Sequence, residues 1–488
     1  MLDINLIREN PAWVKEQIEK LNDPDAIARV DRILELDEER RTILQKAETL
    51  KSNKNKLNKS FGRFRGNKNL SDDEKIATSV AVADELENFL EGLERAVDVL
   101  LTPFDRALAL LAEPVARAER EHGHDNVKSA LGVLQGSLGT FSRRISSMDE
   151  RVKAIDEELR ETMLWLPNMP HESVPVAMSD EENIPHEPVG DMPAFDFEPQ
   201  AHWDIGPALG IIDFERGVKL SGTRFYILAG MGARLHRALT NWMLDYHLAE
   251  GREEVYTPFM VKEECMYGSA QFPKFRDVVY WDQEAELYML PTAEVSITNM
   301  YAGEILDEAA LPLRYIGHTP CFRREKMSAG RDVRGIKRVH QFEKVEQYSF
   351  THPDESYAEL ERITATSEAM CAALGLPYRR LEIVTGDLGF AAAKKYDVEV
   401  YAAGCAEWLE VSSCSNTEAF QARRANIKFR PEEGGRAQFV HTLNGSGLAL
   451  PRIVIAILEN YQQADGSVIV PEVLRPYLGG VAVIEQKA

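Results

Sequence analysis

The chain of 488 residues is 44% hydrophobic and 28% charged, which suits two or three domains with sizeable cores. Its net charge of −22 argues against indiscriminate binding to nucleic acid but leaves room for a local basic site. It has no bilayer-length apolar run, no export signal in its opening MLDINLIREN and no C-x-x-C among its five cysteines, so we predict a cytoplasmic protein without membrane segments, disulfides or cysteine-pair zinc.

The N-terminal third has the hydrophobic spacing of coiled-coil helices. Apolar residues first recur every seven positions, at Leu36, Ile43, Leu50 and Leu57. A later seam over residues 127–159 alternates steps of four and three without a miss. The pattern predicts a long antiparallel helical hairpin over residues 1–164, with additional helical segments between its two long helices. Whether those segments lengthen the hairpin or pack against it stays open.

A basic island lies where the first long helix should end, which places it near the tip of the predicted hairpin. In a chain this acidic, such an island on a projecting arm favours contact with a distant polyanion, although a solvated coiled-coil face is the plain alternative. Within residues 51–70 there is no acidic residue, and the basic ones are Lys51, Lys54, Lys56, Lys59, Arg63, Arg65 and Lys68.

Seven prolines between Pro167 and Pro199 predict a connector of fixed backbone over residues 165–205. Residues 206–488 then alternate strand-like runs, glycines and amphipathic helices, which is an α+β pattern. In this part, LPTAEVSITNMY should place Thr292 and Glu294 on the same side of a strand, where a hydroxyl and a carboxylate could hold an ammonium group.

The stretch CFRREKMSAGRDVRGIKRVHQFEKVE predicts two strands joined by a long basic loop. Its clustered guanidinium groups suit a polyphosphate, because each planar fork can bind two phosphate oxygens. Glu325 beside Arg323 and Arg324 could accept a hydrogen bond from a purine amino group. A salt-bridged, solvated hairpin is the alternative if this stretch is taken alone.

Two later segments add to a nucleotide site. In EVSSCSN, Glu410 with the neighbouring serine hydroxyls could ligate Mg²⁺, which prefers oxygen ligands. In LNGSGLALPRIVIAILENYQ, small residues lead into an apolar helix and would let the backbone approach a ligand closely. Arg452, one turn into that helix, could reach a terminal phosphate.

Taken in order, these segments resemble the seryl-tRNA synthetases, which are class II aminoacyl-tRNA synthetases. The resemblance covers the opening, the arm, the PNMPHESVPV connector and the three class II motifs, of which the first ends in TPFMV and the others are the arginine-rich and glycine-containing segments above. It implies an antiparallel sheet of six or seven strands flanked by helices, a homodimer, and ATP-dependent attachment of L-serine to tRNA(Ser). Whether tRNA(Sec) is also a substrate stays open.

The resemblance also implies a role for individual residues. Serine would be bound by Thr292, Ala293, Glu294, Glu346 and Ser446. ATP would be bound by Arg323, Arg324, Glu325, Val339, Glu410, Val411, Ser412, Ser413 and Arg452. Of these, Arg323 and Arg452 would be catalytic through the phosphates, and Glu410 and Ser413 would hold Mg²⁺. The seven basic residues of the island would contact the tRNA, by shape rather than by base sequence.

Two other functions fit parts of the sequence less well. A related ligase that loads an amino acid onto a carrier protein typically lacks the arm. A non-catalytic tRNA- or protein-binding paralogue should have lost Arg323, Glu325, Glu410 or Arg452, and all four are present.

Three residues depart from the family pattern. Arg324 and Lys326 should bring additional charge near the adenylate, and Cys405 stands where a glutamine is expected. The arm is also longer than usual for the family.

Overall fold

The computed structural model describes residues 1–92, 101–114, 126–326, 334–432 and 434–486. The chain forms two compact units, one of residues 1–30 with 164–488 and one of residues 31–163. Residues 1–30, which the sequence pattern assigned to the arm, therefore group with the larger unit. No helix in the described ranges combines the length and apolarity needed to cross a bilayer.

The described residues contain fourteen α-helices, numbered here in chain order. They are α1 (Ile4–Glu9), α2 (Pro11–Glu19), α3 (Pro24–Gly66), α4 (Asp72–Gly92), α5 (Leu101–Ala112), α6 (Val127–Leu164), α7 (His202–Ala208), α8 (Phe214–Ser221), α9 (Met231–Ala249), α10 (Glu263–Gly268), α11 (Glu294–Thr298), α12 (Ser356–Ala373), α13 (Phe420–Ala425) and α14 (Leu450–Asn460).

The same residues contain eighteen strands, many of only two residues. They are β1 (Ile184–Pro185), β2 (Ile212–Asp213), β3 (Ile227–Leu228), β4 (Glu253–Glu254), β5 (Met260–Val261), β6 (Trp281–Asp282), β7 (Leu287–Met289), β8 (Ile305–Asp307), β9 (Leu313–Phe322), β10 (Gln341–Thr351), β11 (Tyr378–Glu382), β12 (Lys394–Ala402), β13 (Glu407–Asn416), β14 (Lys428–Arg430), β15 (Gln438–Phe439), β16 (His441–Ala449), β17 (Val468–Ile469) and β18 (Val483–Ile484).

The smaller unit is a helical hairpin with two further helices. Arg32 on α3 contacts Glu158 on α6 and Lys51 contacts Asp149, so residue numbers rise along one helix as they fall along the other. The predicted antiparallel hairpin is therefore confirmed. Every residue of the predicted seam on α6 is buried or half-buried, because its apolar stripe faces the other helices.

Helices α4 and α5 answer the question that the sequence left open. They pack against the hairpin, where Phe89 of α4 stacks on Phe141 of α6 with ring centroids 5.6 Å apart and also contacts Phe104 of α5. Leu50 and Leu57 of α3 belong to the same apolar cluster. The added helices thicken the hairpin through a shared core.

The larger unit is built on an eight-stranded sheet in the order β1-β11-β12-β13-β16-β10-β9-β4. Its six central strands are antiparallel, as predicted, while β4 pairs parallel with β9. The two-residue edge strands β1 and β4 raise the total above the six or seven expected. Helices α9 and α14 contribute their buried apolar residues to the main core beside this sheet.

Candidate active site

A cavity of about 560 Å³ opens where the β9–β10 hairpin, β13, β16 and the start of α14 meet, a volume typical of small-ligand sites. It brings together residues that are far apart in the chain but were all chosen from the sequence. Those lining it are Thr292, Glu294, Arg323, Glu325, Val339, Glu410, Ser413, Ser446 and Arg452.

One end of the cavity adjoins a buried polar site around Glu346. Glu346 lies on β10 directly opposite Ser446 on β16, and its side chain is fully buried. The Thr292 hydroxyl donates to its Oε2 at 2.8 Å, and the ammonium of Lys344 pairs with the same oxygen. The other oxygen, Oε1, is buried and has no hydrogen-bond partner among the described residues. A ligand donor could satisfy it.

Glu294 supplies a second carboxyl at this end. The side chain of Gln421 donates to the Glu294 Oε1 at 2.6 Å, and the backbone N–H of Glu294 donates to the Thr292 hydroxyl at 3.3 Å. Burial, followed by the charge of the nearby Glu346, raises the pKa of Glu294 to about 7. Two carboxyls and a hydroxyl in one buried site can accept the hydrogen bonds of an ammonium group and a small hydroxyl.

The predicted strand through Thr292 and Glu294 is wrong. Glu294 is the first residue of the five-residue helix α11, and Thr292 lies in the turn before it. The two side chains still converge, because the turn brings the Thr292 hydroxyl under the Glu294 amide.

A second part of the cavity combines cations with apolar walls. The Arg323 guanidinium lies 5.0 Å from the ring centroid of Phe342, and its Nε donates to the Pro291 carbonyl at 3.2 Å. Arg338 lies 3.8 Å from the Glu325 carboxylate. With Val339, the Phe342 ring provides an apolar surface beside these charges, which suits a nucleotide base followed by its phosphates.

Glu410, Ser413 and Arg452 form the third part of the cavity. The Arg452 Nη1 donates to the Glu410 carbonyl at 2.6 Å and lies 3.5 Å from its carboxylate. Enclosure by itself would raise the pKa of Glu410, but Arg452, Lys395 and Arg323 outweigh it and hold that pKa below its usual value. An ionised carboxylate beside a hydroxyl is an oxygen donor set that fits Mg²⁺.

Glu410 and Ser413 lie on the same face of β13, although they are three residues apart, because the strand contains a β-bulge. Glu410 pairs with Glu399 and Ser412 with Val398, so that Val411 is the extra residue. In a regular strand, residues three apart point to opposite faces.

Besides the fully buried Glu346, four predicted residues do not line the cavity. Ala293 is buried in an apolar cluster, and Val411 lies in the main core. Ser412 donates to the Ser446 carbonyl at 2.6 Å and so supports the site from behind. Any contact of Ala293, Val411 or Ser412 with a ligand would have to come from the backbone.

The fourth is Arg324, which lies beside the lining residue Val279. Its Nε donates to the Val279 carbonyl at 2.9 Å, and its guanidinium lies over the Tyr280 ring at 4.4 Å. It therefore does not line the cavity. Lys326 is exposed.

Sequence reasoning missed several lining residues, notably Lys344, Lys337, Asn444 and Phe342. The signal for two of them was present. Phe342, Lys344 and Glu346 alternate along β10, so Lys344 should have been assigned to the same face as Glu346. The apolar Val345, which is buried in the core, dominates the local pattern and conceals this alternation.

The basic island occupies the last turns of α3 and the residue range just after it. Lys54 is half-buried and the other six are exposed, with Lys51 paired to Asp149 at 2.8 Å. Because α3 and α6 run antiparallel, six residues forward from Lys51 on α3 correspond to six residues back from Asp149 on α6. Arg143 and Arg144 therefore lie near the level of residue 57 and add charge beside the island. Sequence reasoning missed these two arginines because they are distant in the chain.

Comparisons with known proteins agree with this arrangement. The seryl-tRNA synthetase N-terminal domain matches residues 1–112, and the tRNA synthetase class II core domain (G, H, P, S and T) matches residues 277–461. A serine–tRNA ligase from Roseiflexus sp. strain RS-1 is 50% identical over 487 residues, with 100% of both chains covered. The long arm is thus shared with that relative.

Two solved structures are similar over the whole chain. The seryl-tRNA synthetase from Pyrococcus horikoshii complexed with ATP has a TM-score of 0.81 and 34% identity, covering 100% of both chains. The cytoplasmic serine–tRNA ligase from Naegleria fowleri in complex with AMP has a TM-score of 0.83 and 32% identity, covering 100% of this chain and 99% of that one.

Proposed function

The chain belongs to the seryl-tRNA synthetases, and we propose that it activates L-serine with ATP to seryl-adenylate and transfers the seryl group to tRNA(Ser). The observation that carries this proposal is the buried Thr292–Glu346 site beside a cavity that also holds Arg323 and Arg452. A small amino acid and a nucleotide triphosphate would meet in this cavity.

In the first step, the serine carboxylate would attack the α-phosphorus of ATP in line, and no protein nucleophile is needed. Glu346 and Glu294 would hold the ammonium and hydroxyl groups and so fix the attacking carboxylate. Arg323 would stabilise charge on the α-phosphate, and Arg452 would stabilise charge on the γ-phosphate of the departing pyrophosphate. Glu325 would accept from the adenine amino group while the base packs near Val339.

We propose that Glu410 and Ser413 hold Mg²⁺, which supplies charge neutralisation at the phosphates when it is bound. Their shared face on β13 supports this assignment, as does the depressed pKa of Glu410, because a metal ligand must be ionised.

Selection of serine would rest on the buried acceptor atoms. Alanine would leave Glu346 Oε1 without a partner, which carries the full cost of an unsatisfied buried polar group. Threonine carries the hydroxyl, so it would have to be excluded by the size of the pocket.

In the second step, the terminal ribose hydroxyl of the tRNA would attack the adenylate carbonyl, the mixed-anhydride bond would break, and AMP would leave as the seryl ester forms. We propose that the basic island, with Arg143 and Arg144, contacts the tRNA phosphates through charge and shape. Whether tRNA(Sec) is also charged is left to experiment.

We also propose a homodimer, which is supported by Tyr256, 84% exposed and two residues after the edge strand β4.

The test is ATP–pyrophosphate exchange by the purified protein with Mg²⁺, comparing serine with threonine, alanine and cysteine. Exchange strongest with serine is the expected result. Exchange strongest with another amino acid would point to a carrier-loading ligase. A folded protein without exchange would refute the enzyme and favour a tRNA- or protein-binding paralogue.

A further inference from the structure

The first turn of α7 contacts residues 334–336, which precede β10 in the chain. Its His202 accepts a hydrogen bond at Nε2 from the backbone N–H of Ile336, at 3.1 Å. The next residue, Trp203, lies under the Arg334 guanidinium at 4.8 Å from the ring centroid, and Asp204 lies 3.5 Å from the same guanidinium. Three consecutive side chains therefore hold residues 334–336.

Gly335 shows how close this contact is. A Cβ at Gly335 would lie 2.0 Å from the Nε2 of His202, and its φ of +74° favours glycine in any case. The backbone can reach the imidazole only because this residue has no side chain.

A buried carboxylate fixes the imidazole from the other side. The Nδ1 of His202 donates to Glu459 Oε1 at 2.7 Å, and the backbone N–H of His202 donates to the same oxygen at 2.9 Å. The Cys405 backbone N–H donates to Oε2 at 2.9 Å, and its thiol lies 3.1 Å from Oε1. His202 and Glu459 are both fully buried. The unexpected Cys405 is thus part of this network.

These groups could be mistaken for a metal site, since ligand atoms of His202, Cys405 and Glu459 lie within 4.8 Å of one another. The hydrogen bonds argue against it. Because Ile336 donates to Nε2, that nitrogen carries the lone pair and Nδ1 carries the proton. A metal at Nδ1 would force a proton onto Nε2, where it would meet the Ile336 N–H.

The network joins two walls of the cavity. Lys337, Arg338 and Val339 line the cavity and follow directly on Ile336. Glu459 lies on α14, two turns after the cavity residue Arg452. The His202 ring bridges the backbone of one wall and the helix of the other.

We propose that His202 is a positioning residue for ATP binding, because its imidazole holds the 337–339 wall in register with α14. The inference rests on the nucleotide half of the proposed function. His202 itself does not line the cavity, so it would act through the Ile336 backbone.

The test separates the two ring nitrogens by substitution. His202→Asn keeps a donor at the Nδ1 position and removes the acceptor for Ile336, whereas His202→Gln can place its amide oxygen near the Nε2 position. His186→Asn is the matched control, since His186 is exposed and remote from the network. ATP affinity is measured by titration calorimetry, and the KM values for ATP and serine by ATP–pyrophosphate exchange. The midpoint of thermal unfolding shows whether each variant is folded.

We expect H202N to weaken ATP binding about tenfold, with the KM for serine changed less than about twofold, since the Ile336 N–H loses its acceptor. H202Q should bind ATP within about threefold of the wild type, and hydrogen exchange in the peptide containing Ile336 should accelerate in H202N alone. Arg334→Ala, on the exposed side, should weaken ATP binding about threefold and tests the proposal should H202N fail to fold.

Wild-type ATP affinity in H202N and Arg334→Ala would overturn the proposal. So would equal rises in the KM for ATP and for serine, which would indicate a general structural role. Because ATP binding is measured directly by calorimetry, loss of serine-dependent exchange in the wild type would refute the proposed function, while the comparison of ATP affinities would still decide the role of His202.

Discussion

Removing one hydroxyl should identify the amino-acid end of the cavity. The Thr292 hydroxyl donates to the buried Glu346 Oε2 at 2.8 Å and accepts from the Glu294 amide at 3.3 Å. Thr292→Val keeps the shape of the side chain but cannot donate or accept, so it leaves the carboxylate short of one partner and releases the turn before α11.

The expected magnitude follows from the charge of the acceptor. A hydrogen bond to an ionised group contributes about 1.5–3 kcal/mol, and each 1.4 kcal/mol is a factor of ten. Thr292→Val should therefore lower kcat/KM for serine by roughly 10- to 150-fold. Thr292→Ser keeps the hydroxyl and should stay within about threefold of the wild type.

The assay is serine-dependent ATP–pyrophosphate exchange at varied serine and at varied ATP. Thr292→Val should affect the serine dependence more than the KM for ATP, because the Thr292 hydroxyl contacts Glu346 and the Glu294 amide rather than an arginine. Equal activity in the Val and Ser variants would refute the assigned role of the hydroxyl. Equal losses for both substrates would show that the change disturbs the whole cavity.

Three further predictions concern other parts of the molecule. Because burial and Glu346 raise the pKa of Glu294 to about 7, its ionised fraction rises about tenfold from pH 6 to pH 8; the KM for serine should fall over that range, and Glu294→Gln should remove the dependence. The double change Lys59→Glu, Arg63→Glu should raise the KM for tRNA and reduce the slope of log tRNA affinity against log salt concentration by about two, without affecting ATP–pyrophosphate exchange. The control Lys153→Glu should change neither the KM for tRNA nor this slope. Glu410→Gln should weaken Mn²⁺ binding to the ATP complex by roughly tenfold or more, measured by electron paramagnetic resonance; unchanged binding would contradict the metal assignment.

The sequence predicted those features that depend on a long period or on charge. The seam on α6 was predictable because apolar residues that alternate steps of four and three over more than four heptads are typical of a coiled-coil helix. The packing of α4 and α5 was not, because heptad spacing shows which face is apolar but not which helix covers it. Phe89 stacks on Phe141, which lies more than fifty residues away in the chain.

The site was predictable in its residue types and less so in its geometry. The two-residue spacing of Thr292 and Glu294 suggested a strand, because α11 has only five residues and is too short for a helical period to appear. The shared face of Glu410 and Ser413 depends on a bulge at Val411, which is set by pairing with β12 and leaves no local mark in the sequence.

The charges within the cavity indicate how substrates are received. Arg452 lies against Glu410, Arg338 against Glu325, and Lys344 against Glu346. Only the Lys344–Glu346 pair is buried on both sides, so leaving one of its members alone is costly, whereas the other two pairs are partly exposed and exchange partners more readily.

Binding would then proceed by exchange of partners rather than by filling a bare cationic site. Phosphates that take Arg452 leave the Glu410 carboxylate for a divalent cation, and an ammonium group that takes Glu346 replaces Lys344 as its partner. If phosphate took Arg452 without a cation, the Glu410 carboxylate would lose its partner. The arrangement therefore favours binding of the metal–nucleotide complex over the free nucleotide. It follows that ATP without Mg²⁺ should bind more weakly than Mg²⁺–ATP, and that Glu410→Gln should reduce this difference.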